Sequence, residues 1–359
     1  MIELDTPALL VDHALVAENI STLMNRLRGS TVRVRPHWKT AKCLPIAQML
    51  LAAGAQGLCA AKLGEAEALA DGGIDDILIT SELVGPTKLQ RLVALQRRLR
   101  QLRVVVDSLD SARAIDTALS DHDRPLHVLI ELNVGQDRCG VLPGAAALEL
   151  ARGIAMLPRL KLIGLQGYEG HLQHVSDAAQ KAALVQAAMA KLIATATLLR
   201  REGFTIETLT TGGTGTCELC AAHPEISEVQ PGSFVFFDGA YRRAMGAAGY
   251  RQALLVISTV ISRPAAQRAV IDAGLKALSN DMGDPEPDKL LGVRYRPAGD
   301  EHGILEWDDP AWAGPAIGEQ VALVPSHIDT TVNLYNAYHV RHSDGRVESW
   351  PIVGRGRSQ

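Results

Sequence analysis

The chain has 359 residues, of which 47% are hydrophobic and 21% charged, a composition typical of a globular protein with room for two domains. A formal net charge of −4 gives no support to nucleic-acid binding. The N-terminus lacks the basic start and apolar stretch of a secretion signal, and no span is expected to reach the length of a membrane helix, so we expect a cytoplasmic protein. Five cysteines, an odd number spread over a long chain, favour reduced thiols.

Strand-like and helix-like segments alternate from about residue 30 to residue 245, which predicts parallel βαβ units. The eight predicted strands are 32–36, 57–60, 76–80, 103–107, 127–133, 161–166, 205–209 and 234–237. Helices are predicted at 44–53, 63–70, 86–99 and 178–201, with Gly54, Gly72 and Gly203 as stops. The pattern predicts an α/β fold, a (β/α)8 barrel over residues 1–248.

After residue 250 the pattern changes to short alternating runs at 254–262, 291–296, 320–325, 337–342 and 346–350. The last two flank a turn at 343–345, and the Pro- and Asp-rich segment 281–288 is predicted to be a loop. We therefore predict a mainly β C-terminal domain over residues 249–359, with which the first residues of the chain could pair.

Polar residues follow several predicted barrel strands. They are Lys39 after the first, Asn133 and Arg138 after the fifth, Tyr168 and His171 after the sixth, Gly212, Gly213 and Thr214 after the seventh, and Asp238 and Tyr241 after the eighth. In barrels of this kind the chemistry lies just past the C-terminal ends of the strands. The sequence therefore predicts an active site at that face.

Lys39 lies in the run Arg35-Pro36-His37-Trp38-Lys39-Thr40. A lysine at the end of a strand can hold an aldehyde cofactor as an imine if desolvation or nearby cations lower the pKa of its amine. The alternative is a solvated loop lysine.

A glycine-rich run, Thr210-Thr211-Gly212-Gly213-Thr214-Gly215-Thr216, follows the seventh predicted strand. Its glycines allow backbone N–H groups to approach an anion, and its threonine hydroxyls add donors, so the run is typical of a phosphate site. The alternative is an ordinary turn, because the spacing matches neither the P-loop nor the dinucleotide fingerprint. Together with Lys39, it would supply the two anchors that pyridoxal phosphate needs. The pair Cys217 and Cys220, close to His223, has a spacing also found in zinc and redox sites, but the chain has no second Cys pair of that kind.

An ordered set of motifs resembles the D-threonine aldolase and D-serine dehydratase-like family of fold-type III pyridoxal phosphate enzymes, which is related in architecture to alanine racemase. The resemblance covers nearly the whole chain. The motifs are Asp5-Thr6-Pro7, Pro36-His37-Trp38-Lys39-Thr40, Gly164-Leu165-Gln166-Gly167-Tyr168-Glu169-Gly170-His171, Gly212-Gly213-Thr214-Gly215, Pro231-Gly232-Ser233, Asp272-Ala273-Gly274 and Pro325-Ser326-His327-Ile328-Asp329.

The resemblance implies a role for each matched residue. Lys39 would carry the cofactor, Gly212, Gly213 and Thr214 would hold its phosphate, Arg138 would lie near its phenolic oxygen, Tyr168 would contact its ring or phosphate, and Tyr241 would contact the phosphate. By residue type alone, Arg138 could equally form a surface salt bridge and the tyrosines could be ordinary half-buried side chains. The resemblance also implies a homodimer with composite active sites.

His327 and Asp329 are predicted to bind a divalent metal. On an extended segment, residues i and i+2 point to the same side, so imidazole and carboxylate could converge on one ion. The family places a metal at this pair, and some of its dehydratases carry cysteine at the second position. The oxygen ligand of Asp329 favours Mn²⁺ or Mg²⁺, with Zn²⁺ possible.

The resulting hypothesis is a lyase: an aldolase, dependent on pyridoxal phosphate and metal, that cleaves D-3-hydroxy amino acids to glycine and an aldehyde. The runner-up is a D-serine or 3-hydroxyaspartate dehydratase that releases ammonia and a 2-oxo acid. A racemase and a non-catalytic pyridoxal phosphate-binding protein are further alternatives. His37, His171 and His174 are candidate bases or groups that support the site, and each could equally be a structural histidine. No motif decides the side-chain preference of the substrate.

Overall fold

A computed structural model describes residues 4–246 and 249–359. The chain forms two compact units. One, here called the barrel unit, consists of Leu23–Gly232 with Gly356–Gln359, and the other, the β unit, consists of Met1–Thr22 with Ser233–Arg355. The domain boundary predicted at residue 248 stays a prediction.

The first elements of the chain are β1 (Ala8–Asp12) and α1 (His13–Arg26), followed by eight parallel strands that form one sheet of the barrel unit. These strands are β2 (Arg33–Val34), β3 (Leu58–Ala60), β4 (Asp76–Ile79), β5 (Gln101–Val106), β6 (Leu126–Glu131), β7 (Leu160–Gln166), β8 (Thr208–Thr211) and β9 (Glu228–Val229). Neighbours pair in chain order from β3 to β9, and β9 pairs with β2.

The sheet closes between its first two strands. Beyond β2 the chain continues alongside β3, where His37 forms a parallel bridge with Cys59. The Trp38 N–H donates to the Cys59 carbonyl and the Cys59 N–H donates to the Pro36 carbonyl, both at 2.9 Å. Closure removes the free edges of the sheet, and the predicted barrel is confirmed.

Helices connect these strands: α2 (Leu44–Ala52), α3 (Leu63–Asp71), α4 (Pro86–Arg98), α5 (Leu109–Ala118), α6 (Ala145–Ala155), α7 (Ala178–Arg201) and α8 (Cys217–Ala221). Gly54 and Gly203 follow the ends of α2 and α7 in the left-handed region, at φ 105° and 92°, as expected of helix stops. After α3 the left-handed residue is Gly73, at φ 82°, rather than the predicted Gly72.

α7 corrects one expectation from the sequence. It has 24 residues and is long and apolar enough to cross a membrane by length and composition, so the expectation that no span would resemble a membrane helix was wrong. A core helix of a barrel can meet the same criteria of length and composition. Val185, Met189, Leu192 and Leu199 on α7 are buried, and the helix packs against β7 and β8, so we assign it to the barrel.

The eighth strand was also predicted wrongly. Ser233–Val235, at the start of the predicted strand 234–237, forms a short 3-10 helix, and Phe237 has a φ of 57°, outside the strand region. The true eighth strand is β9, which lies five residues before the predicted one. Consequently Asp238 and Tyr241 do not follow the last barrel strand.

Two features explain why the sequence pattern did not predict β9. The run from Phe234 to Phe237 is apolar and buried throughout, and periodicity alone cannot tell such a run from a strand. β9 instead begins with a charged residue, Glu228, that is only 2% exposed. Its burial is possible because its carboxylate accepts a hydrogen bond from the buried Arg35 Nε at 2.9 Å. A buried carboxylate of this kind needs a partner on a distant strand.

The β unit is built on a nine-stranded sheet with two further helices. Its elements after residue 233 are α9 (Gly239–Met245), β10 (Leu254–Ala265), β11 (Arg268–Ile271), β12 (Glu286–Pro287), β13 (Val293–Pro297), β14 (Gly303–Trp307), β15 (Gln320–Val324), α10 (Ile328–Val332), β16 (Ala337–Arg341) and β17 (Val347–Pro351). The main path of the sheet is β13-β14-β11-β10-β1-β16-β17, and β15 pairs with both β10 and β12. β11, β12 and β14 lie outside the predicted runs, and β12 corrects part of the segment 281–288 that was predicted to be a loop.

β1 lies in the middle of this sheet. It pairs antiparallel with β10 and parallel with β16, with Leu9 opposite Val256 and Tyr338. Ala8, Leu9 and Val11 are buried. The mainly β fold of the C-terminal region is therefore confirmed, and its sheet includes the first strand of the chain.

Candidate active site

Lys39 lies in a turn that a buried tryptophan anchors. Trp38 is fully buried, and its Nε1–H donates to the Cys43 carbonyl at 2.9 Å. The N–H groups of Ala41 and Lys42 both donate to the Trp38 carbonyl, and Lys42 adopts a left-handed φ of 50°. This turn holds the half-buried Lys39 just past the first barrel strand, at the C-terminal face.

His37 supports the same turn. Its Nδ1 lies 3.4 Å from the Lys39 N–H and accepts from it, and its Nε2 lies 2.9 Å from Thr80 Oγ1. Thr80 Oγ1 donates in turn to the Ala60 carbonyl at 3.2 Å, so it accepts from His37, and we assign the proton of the ring to Nε2. These contacts give His37 a positioning role toward Lys39.

The glycine-rich run forms a buried loop between β8 and α8. Gly212, Gly213 and Thr214 are all buried. Gly212 has a φ of 76°, in the left-handed region that favours glycine. A Cβ atom at Gly215 would lie 2.2 Å from the backbone carbonyl oxygen of Gln173, so glycine is required there for the loop to lie this close to Gln173.

These residues fit pyridoxal phosphate, the cofactor that the resemblance implies. Beside Lys39, the hydroxyl of Thr40 is buried, and among the described residues no group forms a hydrogen bond with its Oγ1. A buried hydroxyl without a partner is costly, which indicates a polar group still to be bound there. The barrel unit thus supplies a lysine, a hydroxyl without a partner and a glycine-rich loop, which are the kinds of group that bind this cofactor.

Arg138 follows β6 in a loop that Asn133 organises. Asn133 Oδ1 accepts from the N–H groups of Gly135 and Asp137 at 3.0 and 3.2 Å, and its Nδ2 donates to Asp137 Oδ1 at 2.8 Å. The exposed guanidinium of Arg138 lies over the ring of Tyr168, 5.6 Å from its centroid. The structure therefore brings together two of the residues predicted to contact the cofactor.

Acidic side chains lie close to this loop and were not singled out from the sequence. Glu131 is 3% exposed and accepts from Gln166 Nε2 at 2.5 Å. Burial raises its pKa to about 8, and the charge of Glu82 adds to the rise. Glu82 and Asp107 also place ligand atoms within 4.8 Å of each other and of Cys139. The signal that could have found them is their position just after β4 and β5.

His171 and His174 are exposed. His171 lies against the loop after β6, where a Cβ atom on Gly135 would be 3.2 Å from its Nε2. Cys217 and Cys220 are buried, and burial raises the pKa of both thiols. All five cysteines are free, as the odd count predicted.

The second predicted site lies in the β unit. His327 Nε2 is 3.3 Å from Asp329 Oδ2, so the predicted pair does converge. The reason given from the sequence was wrong, because the segment is not extended. His327 is the residue before α10, with extended φ and ψ of −139° and 120°, and Asp329 lies in the first turn of that helix.

A third residue, Asp281, completes this arrangement. Its Oδ2 lies 2.7 Å from His327 Nδ1, and its Oδ1 accepts from Ser279 Oγ at 2.6 Å and from Thr330 Oγ1 at 3.0 Å. Burial alone would lower the pKa of His327, but Asp329 and then Asp281 raise it to about 9. Sequence reasoning missed Asp281 because it lies in the predicted loop, 46 residues away.

The donor set fits a divalent cation. Imidazole nitrogen and carboxylate oxygen are ligands for Mn²⁺ and Zn²⁺, and the two carboxylates that hold a proton on His327 would equally favour a metal in its place. Metal-bound histidines usually donate their other ring N–H to a carboxylate. Asp281 is in position to accept from Nδ1, which leaves Nε2 beside Asp329 for the ion.

Asp238 ties α10 to α9. Its Oδ1 accepts from the Tyr241 N–H at 3.0 Å and its Oδ2 from the Ile328 N–H at 3.0 Å, so one buried carboxylate caps both helices. Burial raises its pKa to about 6. Tyr241 is 7% exposed and lies in the β unit on α9.

Comparisons with known proteins cover the whole chain. Residues 11–239 match the family model for the N-terminal domain of alanine racemase, and residues 253–341 match the model for a putative serine dehydratase domain. The chain is 38% identical to the D-threonine aldolase of Arthrobacter sp over 358 residues, 99% of this chain and 94% of that protein.

Solved structures agree with this match. The crystal structure of D-threonine aldolase from Filomicrobium marinum is 38% identical, with a TM-score of 0.94 over 98% of this chain and 96% of the other. The D-threo-3-hydroxyaspartate dehydratase from Delftia sp. HT23 is 30% identical, with a TM-score of 0.88 over 97% of each chain. With both family models matched in order and a full-length relative at 38% identity, the chain is a lyase and belongs to the D-threonine aldolase and D-serine dehydratase-like family of fold-type III pyridoxal phosphate enzymes.

Proposed function

We propose that the protein is an aldolase, dependent on pyridoxal phosphate and a divalent metal, that cleaves D-3-hydroxy amino acids such as D-threonine to glycine and an aldehyde. The observation that carries the proposal is the pairing of His327 Nε2 with a carboxylate, Asp329 Oδ2, at 3.3 Å. A hard oxygen ligand suits a cation that stabilises a developing alkoxide.

In the barrel unit, Lys39 Nζ would attach the cofactor covalently, and Gly212, Gly213 and Thr214 would hold its phosphate. Arg138 would lie near its phenolic oxygen and favour the ionised form of that oxygen. Tyr168 would contact the ring or the phosphate, and Tyr241 would contact the phosphate. When bound, pyridoxal phosphate supplies an electron sink for the pair released as Cα–Cβ breaks.

In the β unit, His327 and Asp329 hold the ion, with Mn²⁺ preferred to Mg²⁺ and Zn²⁺. When bound, such an ion lowers the pKa of a substrate hydroxyl that it coordinates. A side-chain base then takes the proton of the β-hydroxyl. His37, His171 and His174 are the candidates for this role, and the Nδ1 of His37 already accepts from the Lys39 N–H.

A dehydratase is the second candidate, favoured by the 30% identity to the Delftia enzyme. That reaction would begin with loss of the Cα proton, for which Lys39 is the candidate base, and would expel hydroxide from Cβ. It would release ammonia and a 2-oxo acid in place of glycine and an aldehyde.

The proposal predicts that glycine release from D-threonine requires the metal. Treatment with a chelator should abolish glycine release and leave the visible spectrum of the cofactor largely unchanged, since the two bind through different residues. Mn²⁺ should restore the rate, and His327→Ala should prevent the restoration. The measurement is initial glycine release in the purified holoenzyme.

His342→Ala is the matched control. His342 also lies beside a carboxylate of the β unit, with its Nε2 3.2 Å from Glu348 Oε2, but it is not a proposed ligand. This variant should respond to chelator and Mn²⁺ as the unchanged protein does. Full activity in the chelated enzyme, or in His327→Ala, would contradict the metal role.

A further inference from the structure

We propose that Glu169 is a positioning residue whose buried carboxylate sets the shape of the phosphate loop, residues 211–216. This inference rests on the proposed function, because it takes Gly212, Gly213 and Thr214 as the phosphate-binding residues. Glu169 follows β7, on a different strand connection of the same barrel unit, and is fully buried.

Glu169 binds both ends of the loop. Its Oε2 accepts from Thr211 Oγ1 at 2.6 Å and from the Gly212 N–H at 3.3 Å. Its Oε1 accepts from Thr216 Oγ1 at the other end of the loop. One buried side chain thus accepts hydrogen bonds from both ends of the loop and holds these ends together.

Two side chains extend these contacts to the middle of the loop. Thr216 Oγ1 accepts from the Gly213 N–H at 3.2 Å and from Gln173 Nε2 at 2.8 Å. Gln173 Oε1 accepts from the Gly215 N–H at 2.9 Å, and Gln173 Nε2 also lies 3.3 Å from Glu169 Oε1. The backbone N–H groups of Gly212, Gly213 and Gly215 thus donate to Glu169 or to side chains bonded to it, which fixes the course of the loop around Thr214.

The position of Glu169 carries an electrostatic cost if the loop binds phosphate. A carboxylate beneath an anion-binding loop repels phosphate, and a neutral side chain there would avoid that repulsion. The carboxylate is compensated by five donors, and three of them, Thr211 Oγ1, the Gly212 N–H and Thr216 Oγ1, belong to the loop itself. The contacts therefore indicate that loop orientation outweighs charge repulsion.

The test compares two ligands that differ only in the phosphate. Apoprotein is titrated with pyridoxal phosphate and with pyridoxal. The ratio of the dissociation constant for pyridoxal to that for pyridoxal phosphate measures what the phosphate contributes to binding. In Glu169→Gln the ratio should fall by about tenfold or more, since bonds to a charged acceptor are lost. The dissociation constant for pyridoxal should differ from that of the unchanged protein by no more than about threefold.

Glu228→Gln is the matched control. Glu228 is an equally buried carboxylate of the barrel, but it accepts from Arg35 Nε and Thr210 Oγ1 and should leave the ratio unchanged. Thr216→Val and Thr216→Ser provide a second test if Glu169→Gln does not fold. The valine variant should lower the ratio, and the serine variant, which keeps the hydroxyl, should preserve it.

Each outcome decides the proposal. A ratio in Glu169→Gln that is unchanged or raised, or an equal loss of affinity for both ligands, overturns the positioning role while leaving the phosphate site in place. A ratio near one in the unchanged protein overturns the phosphate assignment itself and the inference with it. If Thr216→Ser loses as much as Thr216→Val, the hydroxyl relay from Glu169 to Gly213 is wrong.

Discussion

The two carboxylates on either side of His327 have different geometry and, we infer, different functions. Asp281 faces Nδ1 at 2.7 Å and is fixed by Ser279 and Thr330, whereas Asp329 lies 3.3 Å from Nε2. Asp281, whose contact is shorter and whose carboxylate is held by two hydroxyls, suits the role of orienting the His327 ring. The longer contact leaves room for an ion between His327 Nε2 and Asp329 Oδ2. With an ion bound at Nε2, the three residues would form an arrangement of carboxylate, histidine and metal.

Asp281→Ala is expected to weaken Mn²⁺ binding by about tenfold to a hundredfold, the usual cost of removing an orienting partner. Asp281→Asn should lose less, because its amide oxygen can still accept from Nδ1–H. Mn²⁺ titration followed by electron paramagnetic resonance measures the affinity. Asp284→Ala, which removes an exposed carboxylate from the same loop, serves as the control and should bind as the unchanged protein does.

Lys39 is expected to be the residue that carries the cofactor, because it lies in the anchored turn at the C-terminal face. Borohydride reduction followed by peptide mass mapping should place the reduced adduct on Lys39. Lys42→Arg is the control, since Lys42 is buried and paired with Glu65 at 3.2 Å, and it should keep the adduct. An adduct on any other lysine of the holoenzyme would disprove the assignment.

Sequence analysis found the site residues that lie in compact motifs and missed those that distant segments supply. Lys39 and His327 each lie within a run of five matched residues. Asp281 contacts His327 from 46 positions away. Glu169 lies within the matched run 164–171, but it was given no role because its partner Thr211 is 42 positions away. Such contacts depend on how loops fold back, which local pattern does not encode.

Among the elements, β7 has a bulge that its glycine explains. Val128 of β6 pairs with Leu162 and Leu129 pairs with Gly164, so Ile163 is an extra residue on the β7 side. A Cβ atom at Gly164 would lie 2.0 Å from the Thr208 carbonyl oxygen of β8. The close approach of two backbones at this position therefore requires glycine.

Gly164→Ala is expected to lower the free energy of unfolding by about 1–3 kcal/mol or more, because the added methyl must push β7 away from β8. Urea unfolding measures the change. Gly153→Ala is the matched control: its Cβ would meet the flexible end of Leu109 on α5, at 2.6 Å, and alanine favours the helix, so we expect little change. Equal unfolding midpoints for the two variants would contradict this account of β7.

The composition of the barrel strands explains why seven of them were predicted correctly and the eighth was not. Strands such as β6 and β7 are apolar and bounded by polar residues, so their pattern is clear. β9 has two residues, one of them charged, and depends on Arg35 of the first barrel segment for its burial. Its position is fixed by closure of the barrel, which is a tertiary effect.

At the scale of the whole molecule, each unit is assembled from distant parts of the chain. Leu9 of β1 pairs with Val256 and Tyr338, so the sheet of the β unit includes the beginning of the chain. The sequence predicted the fold class correctly, but a strand of five residues gives no local signal of its partners. The homodimer and the cytoplasmic location stay predictions.

The central claim is that the enzyme breaks the Cα–Cβ bond of a D-3-hydroxy amino acid. The most direct measurement is the yield of glycine, benzaldehyde and ammonia from D-phenylserine in one reaction of the purified holoenzyme with Mn²⁺. We expect one glycine and one benzaldehyde for each substrate consumed, without ammonia, and poor turnover of the L isomers. Stoichiometric ammonia with phenylpyruvate and no glycine would contradict it and establish the dehydratase instead.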